Sequence, residues 1–167
     1  MSNKLKYLIV NAQNTKYMPT VAHNKQIGHN FKILEEFEAG LALNGAEVKS
    51  IKTGHISLKG AFVSLKNGQA YIKKMHIPIY SKASLQSKQN YHTDADRRLL
   101  LTKKEIAYLS NKTNEKGLTI VPISVYTTRR LIKVKIALVK GKKKFDKRED
   151  IKRKDINRSI LRKLKSF

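Results

Sequence analysis

The residues that could do chemistry here are scattered histidines, a short acidic cluster and a run of cations around one aromatic. The five histidines stand at 23, 29, 55, 76 and 92. None shows the His-x-His or His-x-x-x-His spacing that would hold a metal ion. Neither a Gly-x-Ser-x-Gly turn nor a phosphate-cradling P-loop occurs. The chain has no cysteine, so a thiolate zinc site, a disulfide framework and a thiol nucleophile are all excluded. Glu35, Glu36 and Glu38 could serve acid–base chemistry, but an exposed strand face accounts for them with fewer assumptions. The best catalytic reading is a basic ribonuclease that pairs His29 with His55 or His76, and His29→Ala would then abolish RNA cleavage. No constellation requires it, so the sequence is read as a binder, not an enzyme, with no catalytic residue, metal or cofactor.

The charge points the same way. The 167 residues carry 36 Lys+Arg against 12 Asp+Glu, a formal net charge of +24 and a pI near 10.3. On a domain of this size such a surplus repels itself and destabilises the compact state. A polyanion relieves the repulsion and releases counterions as it binds. Nucleic acid is the first candidate, and an anionic lipid surface met by a basic amphipathic helix is the second. No apolar stretch is long enough to span a bilayer. Lys4 and Lys6 precede no apolar run of useful length, so no secretory signal is expected, and a cytoplasmic location fits. The surplus is concentrated: residues 141–167 hold 12 basic and 4 acidic residues, net +8. So charged a segment cannot bury enough surface to offset its ordering entropy alone, and it reads as a tail that folds on its partner.

The elements that would position these residues follow from periodicity. Residues 1–23 show no sustained period beyond a short edge-strand candidate at Tyr7–Val10, and read as a poorly ordered extension. Phe31 to Leu43 reads as a long strand, with Phe31, Ile33, Glu35, Phe37, Ala39, Leu41 and Leu43 on one face. Gly40 inside it suggests a bend or bulge. Ala46 to Lys52 reads as a short helix stopped at Gly54. Ala61–Lys66 and Gln69–His76 flank Asn67-Gly68, a type I′ hairpin signal. Pro78 argues for a strand exit, and 81–92 for a flexible loop. Arg97 to Leu109 reads as partly helical, with Thr102 and Glu105 spaced as a capping box. Leu118 to Tyr126 is apolar on both faces and central. Ile132, Val134, Ile136 and Leu138 then alternate with Lys133, Lys135, Ala137 and Val139, a half-buried strand with a basic outer face. Five or six short antiparallel strands with a few short helices predict a mainly β (α+β) fold, a small OB-like barrel over 24–140. In the tail, Ile156, Ile160, Leu164 and Phe167 stripe a helix from about Asp150, which would otherwise pack on its own barrel.

Several segments, taken in order, resemble the SsrA-binding protein family (small protein B). They are Asn24-Lys25 with His29, Glu36-Phe-Glu-Ala-Gly-Leu-Ala-Leu-Asn-Gly-Ala-Glu-Val-Lys-Ser50, Lys66-Asn-Gly-Gln-Ala-Tyr71 and Met75-His-Ile77. Arg98-Leu-Leu-Leu101, Lys116-Gly-Leu-Thr-Ile-Val-Pro122 and Lys140-Gly-Lys-Lys-Lys-Phe-Asp-Lys-Arg-Glu149 continue the series. The set covers about residues 24–165, and its order is what makes it specific. The chain departs from the pattern at Ala46, before His29, and at Thr93-Asp-Ala-Asp-Arg-Arg98, where the family has an Asp-Pro-x-Arg-x-Arg lead.

The resemblance implies an OB-like body that binds the tRNA-like domain of transfer-messenger RNA. It also implies a tail that lies in the vacant mRNA channel of the 70S ribosome, near the small-subunit decoding centre. The protein would act as a monomer that delivers the RNA to stalled ribosomes for peptide tagging. Folded RNA is recognised by shape, phosphate and 2′-OH contacts and stacking. The RNA-binding candidates are Asn24, Lys25, His29, Glu38, Glu47, Lys49, Ser50, Lys52, Leu100, Lys116 and Gly117. Glu38 matches a functionally important family glutamate, although orienting a basic neighbour is an equal reading. Leu100 matches a leucine important for RNA binding, although read bare it is a core anchor. A lone His29 is more often structural. Tyr71 and Tyr126 read as core or edge aromatics. For the tail the candidates are Lys140, Lys142, Lys143, Phe145, Asp146, Lys147, Arg148, Ile160 and Leu164. Phe145 stands where the family has His or Tyr and would stack on a decoding-centre base, worth about 1–3 kcal/mol. A general basic RNA-binding or ribosomal protein with an OB-like body is the alternative.

Overall fold

The structure, a computed structural model, describes residues 19–160 apart from 90, 129, 144, 150, 151, 153–155, 157 and 158. In chain order its elements are β1 (Thr20–His23), α1 (Ile27–Asn30), β2 (Phe31–Leu41), α2 (Gly45–Lys52), β3 (Phe62–Lys66) and β4 (Gln69–Lys73). They continue with α3 (Leu85–Lys88), β5 (Arg97–Leu100), α4 (Lys103–Thr113), β6 (Leu118–Thr128) and β7 (Leu131–Gly141). The strands pair antiparallel in the order β1-β6-β3-β4-β5-β2-β7, and β7 pairs again with β6. This is the mainly β, OB-like architecture that the sequence predicts.

Turn chemistry fixes the first hairpin. Asn67 and Gly68 take φ of 51° and 66°, the two left-handed residues a type I′ turn needs. Capping fixes the two longest helices. Asn44 with Glu47 and Thr102 with Glu105 each form a complete capping box at the start of α2 and α4, which satisfies two orphan donors apiece.

Ile132, Val134, Ile136 and Leu138 of β7 point inward and meet Ile51, Ile72, Met75, Leu99, Leu109 and Ile120 in the main core. The outer face of β7 is less basic than expected. Lys133 and Lys135 stay outside, but Ala137 and Val139 are buried under Ile27 of α1, with Val121, Ile123 and partly buried Phe31.

Several expectations change. Phe31 and Glu35 do not share a face, because β2 slips register against β7 between Ile33 and Glu35. Phe31 joins the outer cluster, while Phe37, Ala39 and Leu41 join the inner core. A residue inserted on one strand flips every side chain beyond it. The irregularity therefore falls beside Leu34, while Gly40 is the point where β2 pairs with both β5 and β7. A second slip, between Pro122 and Ser124, does the same in β6. Arg97–Leu100 is a strand, not part of a helix, because it completes the ladder between β4 and β2. Thr20–His23, expected within the N-terminal extension, pairs with β6; Tyr7–Val10 lies outside the described residues. In the tail, helical turns begin at Phe145 rather than near Asp150. Ile156 and Ile160 there are exposed, so these two side chains do not pack on the barrel.

Candidate nucleic-acid interface

The interface is best built from α2, which carries four of the sequence candidates. Its capping box orients Glu47 inward: Oε2 accepts from the Asn44 N–H at 2.9 Å, and Oε1 accepts from Arg97 Nε at 2.8 Å. Glu47 is 6% and Arg97 3% exposed. The Arg97 guanidinium also donates to the carbonyls of Met75 (2.6 Å), Ala95 (2.9 Å) and Thr93 (2.9 Å). One buried cation thus ties α2 to the strand exit and to the loop ahead of β5. Ser50 is buried too, and its Oγ donates to the Pro78 carbonyl at 2.6 Å. Glu47 and Ser50 are therefore buried and bonded within the protein, where they support a platform. What α2 shows to solvent is Lys49 and Lys52, both exposed. Lys49 Nζ lies 5.8 Å from the centroid of the Tyr80 ring.

Glu38 lies on the outer face of β2, the side opposite Phe37 and Ala39. It accepts from Lys133 Nζ and from the Tyr126 hydroxyl, while Lys135 pairs with Glu36 at 3.0 Å on the same face. The Lys133 bond, then the Tyr126 bond, hold the Glu38 carboxyl below the ordinary carboxylate range, against a smaller opposing effect of burial. Burial first, and the Glu38 bond second, push the Tyr126 phenol up, so it stays a donor. Glu38 thus orients two neighbours, a basic one among them, while remaining about half exposed. Tyr126 is buried, as its reading as a core or edge aromatic requires.

Leu100 is 53% exposed and is not the core anchor its sequence suggests. Strand alternation sends Leu99 inward and Leu100 out. It lies across Gly40, where an added Cβ would stand 3.3 Å from Leu100 Cδ1. The glycine therefore sets how closely this leucine approaches β2.

Asn24 is consumed by the fold. Its Nδ2 donates to the Pro122 carbonyl at 3.2 Å, and its Oδ1 accepts from the Gln26 N–H at 3.2 Å. Lys25 and His29 follow it into solvent, and His29 Nδ1 is 3.1 Å from Asn30 Oδ1. At the end of the sheet where the tail departs, Lys140 is registered against both Lys32 and Leu118. Lys116 is exposed just before that strand, and Gly117 turns the chain at φ 85°. Lys142 Nζ donates to the Gly28 carbonyl at 2.6 Å, which ties the tail to α1.

In the tail, Asp146 accepts from the Lys143 N–H at 3.1 Å and so caps the first helical turn. Phe145 in that turn is 67% exposed, next to exposed Lys143 and Arg148 and half-buried Lys147. Ile160 is exposed, and Leu164 lies outside the described residues. The candidates thus fall into an α2 platform, a β2–β7 face and a basic end at Lys140 that leads into the tail. Sequence reasoning missed Arg97, whose acidic lead disguised a buried hub, and Tyr80, which lies in an irregular stretch with no period. Among the described residues, no group of acidic or histidine side chains could hold a metal ion, and no helix is long and apolar enough to cross a membrane.

Comparison with known proteins gives concordant results. A family model described as "SmpB protein" matches residues 21–166. The SsrA-binding protein of Enterococcus hirae is 44% identical over 147 residues, 88% of this chain and 94% of that protein. The SsrA-binding protein of Thermosipho melanesiensis is 46% identical over 149 residues, 89% of this chain and 99% of its own. A solved chain described as "tmRNA-SmpB: a journey to the center of the bacterial ribosome" superposes with a TM-score of 0.61 at 38% identity. The match covers 74% of this chain and 85% of that one.

Proposed function

The chain belongs to the SmpB family of SsrA-binding proteins, and from that premise we propose that it binds the tRNA-like domain of transfer-messenger RNA and delivers it to stalled ribosomes. The observation that carries this is the likeness, over 74% of the chain, to a solved tmRNA-SmpB chain. The geometry supports it in physical terms. Of the exposed cations, Lys49 and Lys52 lie on α2, Lys140 on β7, and Lys25 and Lys116 in turns beside the strands, where they can meet phosphates.

The domain reading follows from the same premise. The body recognises the tRNA-like domain, and the tail from Gly141 lies along the vacant mRNA channel of the 70S ribosome. There Phe145 stacks on a decoding-centre base between Lys142, Lys143, Lys147 and Arg148. The protein acts as a cytoplasmic monomer and breaks no bond itself; the RNA supplies the chemistry of tagging. Exposure of Phe145 supports the stacking role, since a π-face must be accessible to meet a base.

The test is binding of the full-length protein to transfer-messenger RNA against bulk tRNA at near-physiological salt. Any basic protein binds RNA at low salt, so the ratio is the informative quantity. A strong preference is expected, and equal binding overturns the proposal. Phe145→Ala should keep that preference while lowering peptide tagging on stalled ribosomes.

A further inference from the structure

Beside the exposed lysines of α2 the chain forms a recess of about 290 Å³, lined by Ser50, Thr53, His55, Pro78, Ile79, Tyr80 and Ser81. We propose that this recess receives one unpaired RNA nucleotide, its base against the Tyr80 ring and its phosphate at Lys49 and Lys52. The inference rests on the RNA-binding reading above and adds to it a specific subsite.

Three observations carry it. The first is chemical composition. One wall is apolar and aromatic, the other presents exposed Thr53 and the His55 imidazole, and two exposed lysines stand on the adjoining helix. No carboxylate lines the recess. The acid of α2, Glu47, is turned inside and neutralised by Arg97. A flat π-system joined to an anion is the ligand class that matches such a surface. The second is that aromatic face and cation are presented together, since Lys49 Nζ lies 5.8 Å from the Tyr80 centroid.

The third is that the recess is prebuilt. The chain from Met75 to Tyr80 makes an isolated bridge at His76 with Ser57 rather than a full strand, and it is pinned at successive residues. Arg97 holds the Met75 carbonyl at 2.6 Å. The Ile77 N–H donates to the Thr93 carbonyl at 3.0 Å, and the Ile77 carbonyl accepts from the Tyr91 hydroxyl at 2.8 Å. Ser50 Oγ holds the Pro78 carbonyl at 2.6 Å. On the facing wall, the Thr53 hydroxyl lies 2.9 Å from His55 Nδ1. A wall fixed this way costs little ordering on binding. The volume admits a single base and excludes a duplex, so the ligand must be an unstacked nucleotide of a loop, bulge or end.

The experiment uses full-length protein with two probes: transfer-messenger RNA and a nine-nucleotide single-stranded RNA. Tyr80→Leu keeps bulk and removes the π-face, and should weaken binding of both probes roughly 5- to 100-fold. Tyr80→Phe should stay within about twofold of the parent, since the ring and not the hydroxyl is used. Ultraviolet cross-linking should attach RNA at Tyr80. Ser81→Glu adds an anion at an exposed position, so it leaves the fold intact and should cost about tenfold or more. Unchanged binding by Tyr80→Leu, or by Ser81→Glu if the first variant does not fold, overturns the proposal. So does an equal loss in Tyr80→Phe. If the parent shows no preference for transfer-messenger RNA over bulk tRNA, the proposed function falls. A Tyr80→Leu loss on the nine-nucleotide probe would still uphold the recess.

Discussion

Glu47 offers the sharpest test of whether the segment Glu-Val-Lys-Ser50 acts by contact or by support. The carboxylate is 6% exposed, and its partner Arg97 is 3% exposed, at 2.8 Å. Replacing one member of such a pair strands the other charge in the interior, which costs about 3–5 kcal/mol. Against a total stability of about 5–15 kcal/mol for a domain, that is a large fraction. For a chain of this length it corresponds to a fall in Tm of about 6–20 °C. The loss should be felt at both ends of the guanidinium, because Arg97 also holds the Met75, Ala95 and Thr93 carbonyls. Glu47→Gln and Glu47→Leu/Arg97→Met should be compared with the parent by urea denaturation followed by far-UV circular dichroism. The single variant should lose about 3 kcal/mol or more. The double should be less destabilised than the sum of its singles by about 1 kcal/mol or more, since the buried charge leaves with its partner. The RNA affinity of the molecules that remain folded should change little. If Glu47→Gln keeps stability within about 0.5 kcal/mol of the parent while losing RNA affinity, Glu47 is a ligand and the reasoning fails.

Other expectations follow from the same geometry. The Glu38 carboxyl is held below its ordinary value of 4.5 by Lys133 and Tyr126. Its contribution to stability is therefore fully present above that value and is lost as pH falls through the lowered folded value. Because the side chain is half exposed, Glu38→Gln should cost only about 0–1 kcal/mol; an NMR titration in which Tyr126→Phe leaves the Glu38 midpoint unmoved would refute the assignment. Leu100→Ala should change stability by no more than about 0.5 kcal/mol, where a core leucine would cost about 2–5 kcal/mol. Urea melts separate the two, and transfer-messenger RNA binding should fall if Leu100 is a contact. Gly40→Ala should press on Leu100 and cost about 1 kcal/mol or less, and Leu100→Ala in the same chain should relieve it. Thr102→Ala removes one half of the α4 capping box and should cost about 1 kcal/mol, read from the same melts.

Much of this was legible in local chemistry. The Asn67-Gly68 turn, the Thr102–Glu105 box and the inward face of β7 each depend on residues close in sequence, so their types and spacing suffice. Where one inserted residue decided the outcome, sequence failed. The slips beside Leu34 and after Pro122 move Phe31, Val121 and Ile123 onto an outer cluster. Period-two reasoning carries no information about an unpaired residue, because the insertion is defined only against a partner strand. Arg97–Leu100 was misread for the same reason, since a strand of four residues between two others is stabilised by its neighbours and not by its own pattern.

Sequence alone narrowed the partner to a polyanion, because net charge, the absence of cysteine and the cation-rich tail around Phe145 are properties of composition. It also determined the ordered segments by which the family is recognised. Only the tertiary structure decided which of those residues face solvent. Glu47 and Ser50 are buried and Asn24 is bonded to the Pro122 carbonyl, while Leu100 and Glu38 lie at the surface. Burial and partner choice arise from contacts far apart in the chain, such as Glu47 with Arg97 and Glu38 with Lys133. A residue's type limits what it can bind, but the fold decides whether another part of the protein has already bound it.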